Sequence, residues 1–299
     1  MSLKTIATIA IPDSAGSSFD HGAFDPATRR VFVAHTGRSC VEVIDHDAGK
    51  HVATLPDFPE AAGVVADGGM VLVTNRGAAS MAWVDARSLK TTQRVFNVGT
   101  RPNGVAIVAR QKLAIAACIG DDSHRPTLHA VGLDGGAHHT IELPGRPRWC
   151  VTDASATRVF LAIQEPSMVL SARLPDLQDI KHLKVPAGGA HGLEIDHRGG
   201  RLYVACDDAV LVEVDAGTGK VSNQWPIAGA PDVTFFNPTT GLVHVAIGKP
   251  GLVQSIDPRT GGSSQTMTAA GAHTTALVPP NRLYVFSPSD GGAIVLADG

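Results

Sequence analysis

A run of the form Arg-Leu-Tyr-Val-Ala returns through the chain at a nearly constant interval, and that periodicity restricts the fold more than any other feature of the sequence. It reads RVFVAH from position 30, MVLVTN from 70, KLAIAA from 112, RVFLAI from 158, RLYVAC from 201, LVHVAI from 242 and RLYVFS from 282. A second apolar run follows each copy in phase: CVEVID, MAWVD, LHAVGLD, VLSARL, VLVEVD, LVQSID and AIVLAD. The clearest unit, residues 188–225, breaks into four short runs separated by turns: HGLEID, RLYVAC, VLVEVD and KVSNQW. Short runs rich in Val, Leu, Ile and Tyr, bounded by Gly, Asp and Asn, are strands joined by hairpins. A repeat of about 40 residues with four strands per copy is the sequence form of a β-propeller. One such sheet cannot bury both faces alone, so the copies must stack around an axis.

The expectation is therefore an all-β, seven-bladed β-propeller with four antiparallel strands per blade, forming one domain over residues 1–299. The last copy stops after its third strand, while residues 4–11 form a strand with no blade of their own. That N-terminal strand is expected to complete the last blade and cover its open edge. Five of the third runs end in Asp before a turn, where the carboxylate can accept backbone N–H groups. The 32 Gly and 19 Pro suit a chain of many tight turns.

The strand and turn pattern, best seen in GRLYVACDDAVLVEVDAGTGKV and RRVFVAHTGRSCVEVIDHDAGKHV, resembles the YVTN repeat family of β-propellers over essentially the whole chain. The middle blades depart from it: LAIAACIGDDSHRPTLHAVGLD has a longer loop, and FLAIQEPSMVLSARLPD loses the terminal Asp. The resemblance implies the fold; propellers of this kind serve as surface-layer-like proteins, nucleic-acid binders, lactonases and lyases, so function has to be argued from the site.

Composition removes several classes. A net charge of −3 with scattered Lys and Arg supplies no basic field for nucleic acid or an anionic membrane. The apolar start is interrupted by Lys4 and Pro12, which fits neither a secretory signal nor a membrane span, and the chain reads as cytoplasmic. Cys40, Cys118, Cys150 and Cys206 stand singly in or beside strands and read as buried, reduced thiols. No P-loop, dinucleotide fingerprint, G-x-S-x-G elbow or H-E-x-x-H occurs, so no nucleotide or organic cofactor is expected.

Function in a propeller is sought at the axis. Aligning the innermost strands by their distance to the second strand puts Asp20, Ala62, Asn103, Arg148, His191, Asp232 and His273 at one position around the channel mouth, with His21 and Glu60 beside it. His191, Asp232, His273 and Asp20 form a plausible nitrogen and oxygen set for a divalent ion of the Zn, Fe or Mn type. A one-residue slip exchanges Asp20 for His21. Arg148 would orient a substrate through a bidentate fork, His21 and His35 are candidate acid–base groups, and Glu60, Asn103, Arg76 and His124 are candidate ligand contacts. A metal site, a metal-free ligand pocket and a merely solvated mouth all satisfy this pattern, and a Cys206 nucleophile with His191 as base is a minor further arrangement. His46, His51 and His138 fall in turns or outer strands and are expected to be solvated.

The leading functional expectation is a metal-dependent hydrolase of lactonase type, or a lyase, acting on a small polar molecule. It draws on a resemblance in architecture, without shared motifs, to propeller lactonases and streptogramin lyases. The alternative is a non-catalytic propeller that binds a protein or small ligand. The residues do not specify an oligomeric state.

Overall fold

The structure is a computed structural model, and it describes residues 2–134, 136 and 138–298. Among these, the chain forms seven four-stranded antiparallel sheets. In the first blade the order from axis to rim is Gly22–Asp25, Arg30–His35, Cys40–Asp45 and Lys50–Leu55. The other innermost strands are Ala61–Asp67, Pro102–Val108, Pro147–Thr152, Ala190–Asp196, Thr234–Asn237 and Thr274–Val278. Each touches the next around the ring, and the last returns to the first.

Closure follows the expectation. The N-terminal strand runs Leu3–Ala10 and pairs antiparallel with Gly292–Asp298, so the last blade is built from both ends of the chain. Its alternation sends Leu3 and Ile9 inward, with Ile11 just beyond, while Ile6 stays exposed. The second strands stand where the repeat puts them, save one: in the third blade the strand is Leu113–Cys118. There Lys112 closes a short 3-10 turn in the left-handed region and cannot join the ladder.

Strand side chains alternate between two neighbouring blades, so the core is a set of wedges between sheets. Val31, Val33 and Ile44 of the first blade pack on Ala276, Tyr284 and Phe286 of the seventh. Phe32, Ala34, Val41 and Val43 pack the other way, on Val64, Val71, Val73 and Val84 of the second. The terminal aspartates act as expected: Asp45, Asp85, Asp215 and Asp257 accept the backbone N–H of Ala48, Ser88, Thr218 and Arg259, respectively. All four cysteines are free and buried.

Of three histidines expected in water, His46 and His51 are withdrawn from it, and His138 is exposed as expected but also has a partner. His46 is buried against the Tyr284 hydroxyl, 2.9 Å away. His51 Nε2 lies 2.8 Å from the buried Glu42, and His138 Nε2 lies 2.8 Å from His129 Nδ1. Outer-strand residues on the inner side of the pleat reach polar groups in the strand before them, which turn-based reasoning does not register.

Candidate functional site at the channel mouth

The mouth is positioned by a backbone irregularity repeated from blade to blade. The innermost strand carries a register break at its start in blades two, three, four and five, at Ala61/Val64, Pro102/Gly104, Pro147/Cys150 and Ala190/Gly192. In blades one and six the same step is seen as Asp20 N–H to Ala34 O and Asp232 N–H to Ala246 O. Such a bulge re-aims one side chain out of the sheet. The residues delivered there are Asp20, Ala62, Asn103, Arg148, His191 and Asp232, with His273 preceding Thr274 in blade seven. The positions aligned in the sequence are therefore aligned in the structure, and Asp20, Asn103, Arg148, His191 and Asp232 among them line about 500 Å³ of space that opens to solvent.

One half of the ring is locked. Arg76 donates to Asp20 Oδ2 at 2.5 Å and also to Asn103 Oδ1, so its charge is neutralised and its fork occupied. Asp20 Oδ1 lies 2.5 Å from His21 Nδ1 as well.

The other half is a chain of polar contacts through blades four to seven. Arg148 Nε donates to Gln164 Oε1 at 3.1 Å, and Gln164 Nε2 donates to Asp207 Oδ2 at 2.6 Å. Asp207 Oδ1 lies 2.8 Å from His191 Nδ1, and His191 Nε2 lies 3.4 Å from Asp232 Oδ1. Asp232 Oδ2 is 2.6 Å from His273 Nδ1, an ion-pair contact that is poorly aligned for a hydrogen bond.

Between the halves runs a crossbar. The residue after the ring position is Gly63, Gly104 or Gly192 in blades two, three and five, and a Cβ there would collide with the next blade: with Arg148 O at Gly104, with Thr234 Oγ1 at Gly192. In blades one and four that residue is His21 and Trp149. Their rings stack at 3.7 Å with 4° between planes, spanning the axis. Arg76 and Asn103 lie on one side of the bar, His191, Asp232 and His273 on the other.

The electrostatics follow from these contacts. Burial opposes the charge on Asp232, but the close, charge-bearing contacts with His191 and His273 outweigh it and hold the carboxyl well below the usual carboxylate range. Burial likewise disfavours an Asp207 anion, and its bonds with His191 and Gln164 reverse that. Asp20 is also lowered: burial is outweighed by His21 and Arg76. His273 is raised, first by its contact with Asp232. For His191, burial works against the imidazolium and the two flanking carboxylates overcome it, so its pKa rises. Replacing Asp207 by Asn removes one of those carboxylates and should bring the His191 pKa down. An NMR titration of the imidazole signals, assigned with His191→Gln, checks this; an unmoved pKa would dissolve the pairing.

Several sequence candidates lie elsewhere. His35 is fully buried, stacked on Phe19 with Nδ1 2.8 Å from Glu42 Oε1. It sits one strand farther from the axis than the ring, so its side chain enters the wedge between blades one and seven and misses the mouth. Glu60 is exposed and contributes its carbonyl, which accepts the Arg76 N–H, while its side chain is not among those lining the cavity. His124 is 63% exposed on the long loop of blade three, beside Asp121. Cys206 is no nucleophile: burial pushes its thiol up to about 12, with Asp207 and Asp208 adding to it.

The expected metal ligands have the right chemistry but not a common centre. Among the described residues, no three of Asp20, His191, Asp232 and His273 bring one donor atom each within 4.8 Å of one another; His35, Cys40 and Glu42 do. That buried trio is compatible with a divalent ion. Its thiol, pushed up to about 12 by burial and Glu42, donates to the Glu42 carboxylate. Sequence reasoning placed neither Asp207 nor Trp149 at the axis. Its one usable signal was the aromatic at a position that is glycine in three other blades.

No protein-family model matches the chain, and no curated protein matches it. Among solved structures, a streptogramin B lyase is similar with a TM-score of 0.80 and 11% identity, over 99% of this chain and 97% of that one. Virginiamycin B lyase from Staphylococcus aureus, in selenomethionine-substituted form, is similar with a TM-score of 0.81 and 10% identity, over 100% and 99%. At such identity the likeness is one of fold, that of a seven-bladed propeller.

Proposed function

We propose that the channel mouth is the active site of a small-molecule enzyme of the lyase or hydrolase kind. The observation that carries this is His191, held between Asp207 on Nδ1 and Asp232 on Nε2, in the blade next to Arg148. A carboxylate on Nδ1 fixes the tautomer and leaves Nε2 as the nitrogen that exchanges protons with a ligand. The two carboxylates raise its pKa, which makes the imidazole a stronger proton acceptor. In a lyase reaction Nε2 removes a proton next to a carbonyl; in hydrolysis it activates water. Asp232 shares its two oxygens between His191 and His273, so His273 is placed to supply the proton that the leaving group needs. The fold likeness to two lyases supports the same class.

A divalent ion at the mouth would draw on Asp232 and the imidazoles of His191 and His273, donors suited to Zn, Fe or Mn. Among the described residues those donors do not converge on a common centre, so acid–base work by the side chains is the reading the geometry favours.

The test is turnover of lactones, esters and β-elimination substrates by the wild type and His191→Ala. The variant should lose roughly 10²- to 10⁴-fold in rate with its melting temperature within a few degrees of the parent. Equal turnover in both would remove His191 from the chemistry. A wild type inert throughout, with or without added divalent ions, would return the mouth to a binding role.

A further inference from the structure

Arg148 presents an unbalanced charge. It is half-buried in the mouth, its Nε is taken by Gln164, and among the described residues its two Nη groups have no carboxylate or carbonyl acceptor. Arg76, the other mouth arginine, is closed off by Asp20 and Asn103. A desolvated cation without a partner is unfavourable unless something completes it. Here burial already depresses the guanidinium pKa, only partly countered by the more distant Asp232, Asp207 and Asp20. The side chain is nonetheless held in place, because Gln164 is itself fixed by Asp207.

We propose that Arg148 is the anchor for a carboxylate on the substrate, so that this protein acts on small monocarboxylic acids; the inference rests on the mouth being the active site. A planar carboxylate matches the free edge of the guanidinium with two parallel hydrogen bonds. A phosphate dianion matches less well: one free cation has three carboxylates near it, Asp20, Asp207 and Asp232, and a second negative charge would meet them without compensation. The anchor also dictates where reaction occurs. Asp207 contacts both Gln164, which holds Arg148, and His191, so anchor and base stand in adjacent blades joined through one carboxylate. The reacting carbon therefore lies a few bonds from the carboxylate. Trp149, next to Arg148 and stacked on His21, supplies an apolar wall for what lies between.

Calorimetric titration of the full chain with benzoate, its neutral isostere benzamide, and inorganic phosphate tests this without any turnover. Benzoate should bind roughly tenfold or more tightly than either of the others, the scale of a charge-assisted bidentate contact. Arg148→Gln should erase the preference for benzoate, and Arg125→Gln, an exposed rim arginine, should keep it. Benzoate and benzamide binding alike, phosphate binding better than benzoate, or benzoate preference surviving in Arg148→Gln would each overturn the proposal. Absence of turnover on every substrate tried would leave the anchor standing, and loss of the benzoate preference would leave the acid–base role of His191 standing.

Discussion

A chain lacking residues 1–11 is expected to lose its cooperative unfolding transition. The deleted segment holds the outer strand of the seventh blade, paired from Leu3 opposite Asp298 to Ala10 opposite Gly292. It also buries Leu3, Ile9 and Ile11 to 5%, 5% and 3% residual exposure. Three buried aliphatic side chains contribute about 5–9 kcal/mol at about 1.5–3 kcal/mol each, before any ladder hydrogen bond is counted. That is the size of a whole domain's net stability, about 5–15 kcal/mol. Leu3 O further accepts the Thr266 hydroxyl of the sixth blade, so the loss reaches beyond one sheet. Thermal melts by circular dichroism check it, and the full-length Ile9→Ala variant, expected to cost about 2–5 kcal/mol, serves if the truncated chain cannot be purified. A truncated protein melting within two or three degrees of the parent would show that the ring closes by another route.

The second large effect is expected at Glu42, far from the mouth. Its carboxylate is buried and takes four donors: His35 Nδ1 and Cys40 Sγ on Oε1, His51 Nε2 and the Thr54 hydroxyl on Oε2. Burial opposes its charge, yet those bonds together bring its pKa down to about 2, from an ordinary value of 4.5. Glu42→Ala strands all four donors and should cost about 3–5 kcal/mol, the scale of an orphaned buried charge partner. The sign of the pH dependence follows from the depressed pKa. The contribution is whole above pH 4.5 and drains away as pH falls through 2, amounting to about 3 kcal/mol. His129 and His244, whose burial lowers them to about 4, erode stability over a different window, from 6.5 down through 4. The difference between wild type and Glu42→Gln therefore isolates the carboxylate: their melting temperatures should converge between pH 4.5 and 2. Parallel curves over that range would mean that Glu42 is not ionised in the folded state.

The repeat was legible because strand spacing and turn chemistry are local. RLYVAC and its six relatives mark second strands almost to the residue, and Asp45, Asp85, Asp215 and Asp257 at the ends of third strands do hold their turns. The ring was legible for the same reason: a bulge at one place in each blade keeps Asp20, Asn103, Arg148, His191 and Asp232 in step. What spacing does not carry is radius. His35 and Glu60 follow the rules of the mouth in sequence, yet one lies a strand too far out and the other ends in solvent. Nor does it distinguish the two halves of Asp207-Asp208. Asp208 ties its turn to the loop that leads into the innermost strand, accepting the Gly188 N–H at 2.6 Å, while Asp207 orients His191. That division depends on which side of the turn faces the axis, a property of the closed ring and not of the hairpin.

Seven copies of one unit would present seven equivalent doors to whatever enters, and a symmetric guest would have no reason to prefer one orientation. Two bulky rings, at positions where three other blades have glycine, end that equivalence. With His21 and Trp149 bridging the axis, the ring has a left and a right: a saturated, charge-neutral bank and a bank with the Arg148 cation and the imidazoles of His191 and His273. A guest suited to such a chamber is itself lopsided, inert at one end and reactive at the other. Repetition supplies the wall, and a single aromatic pair supplies the polarity.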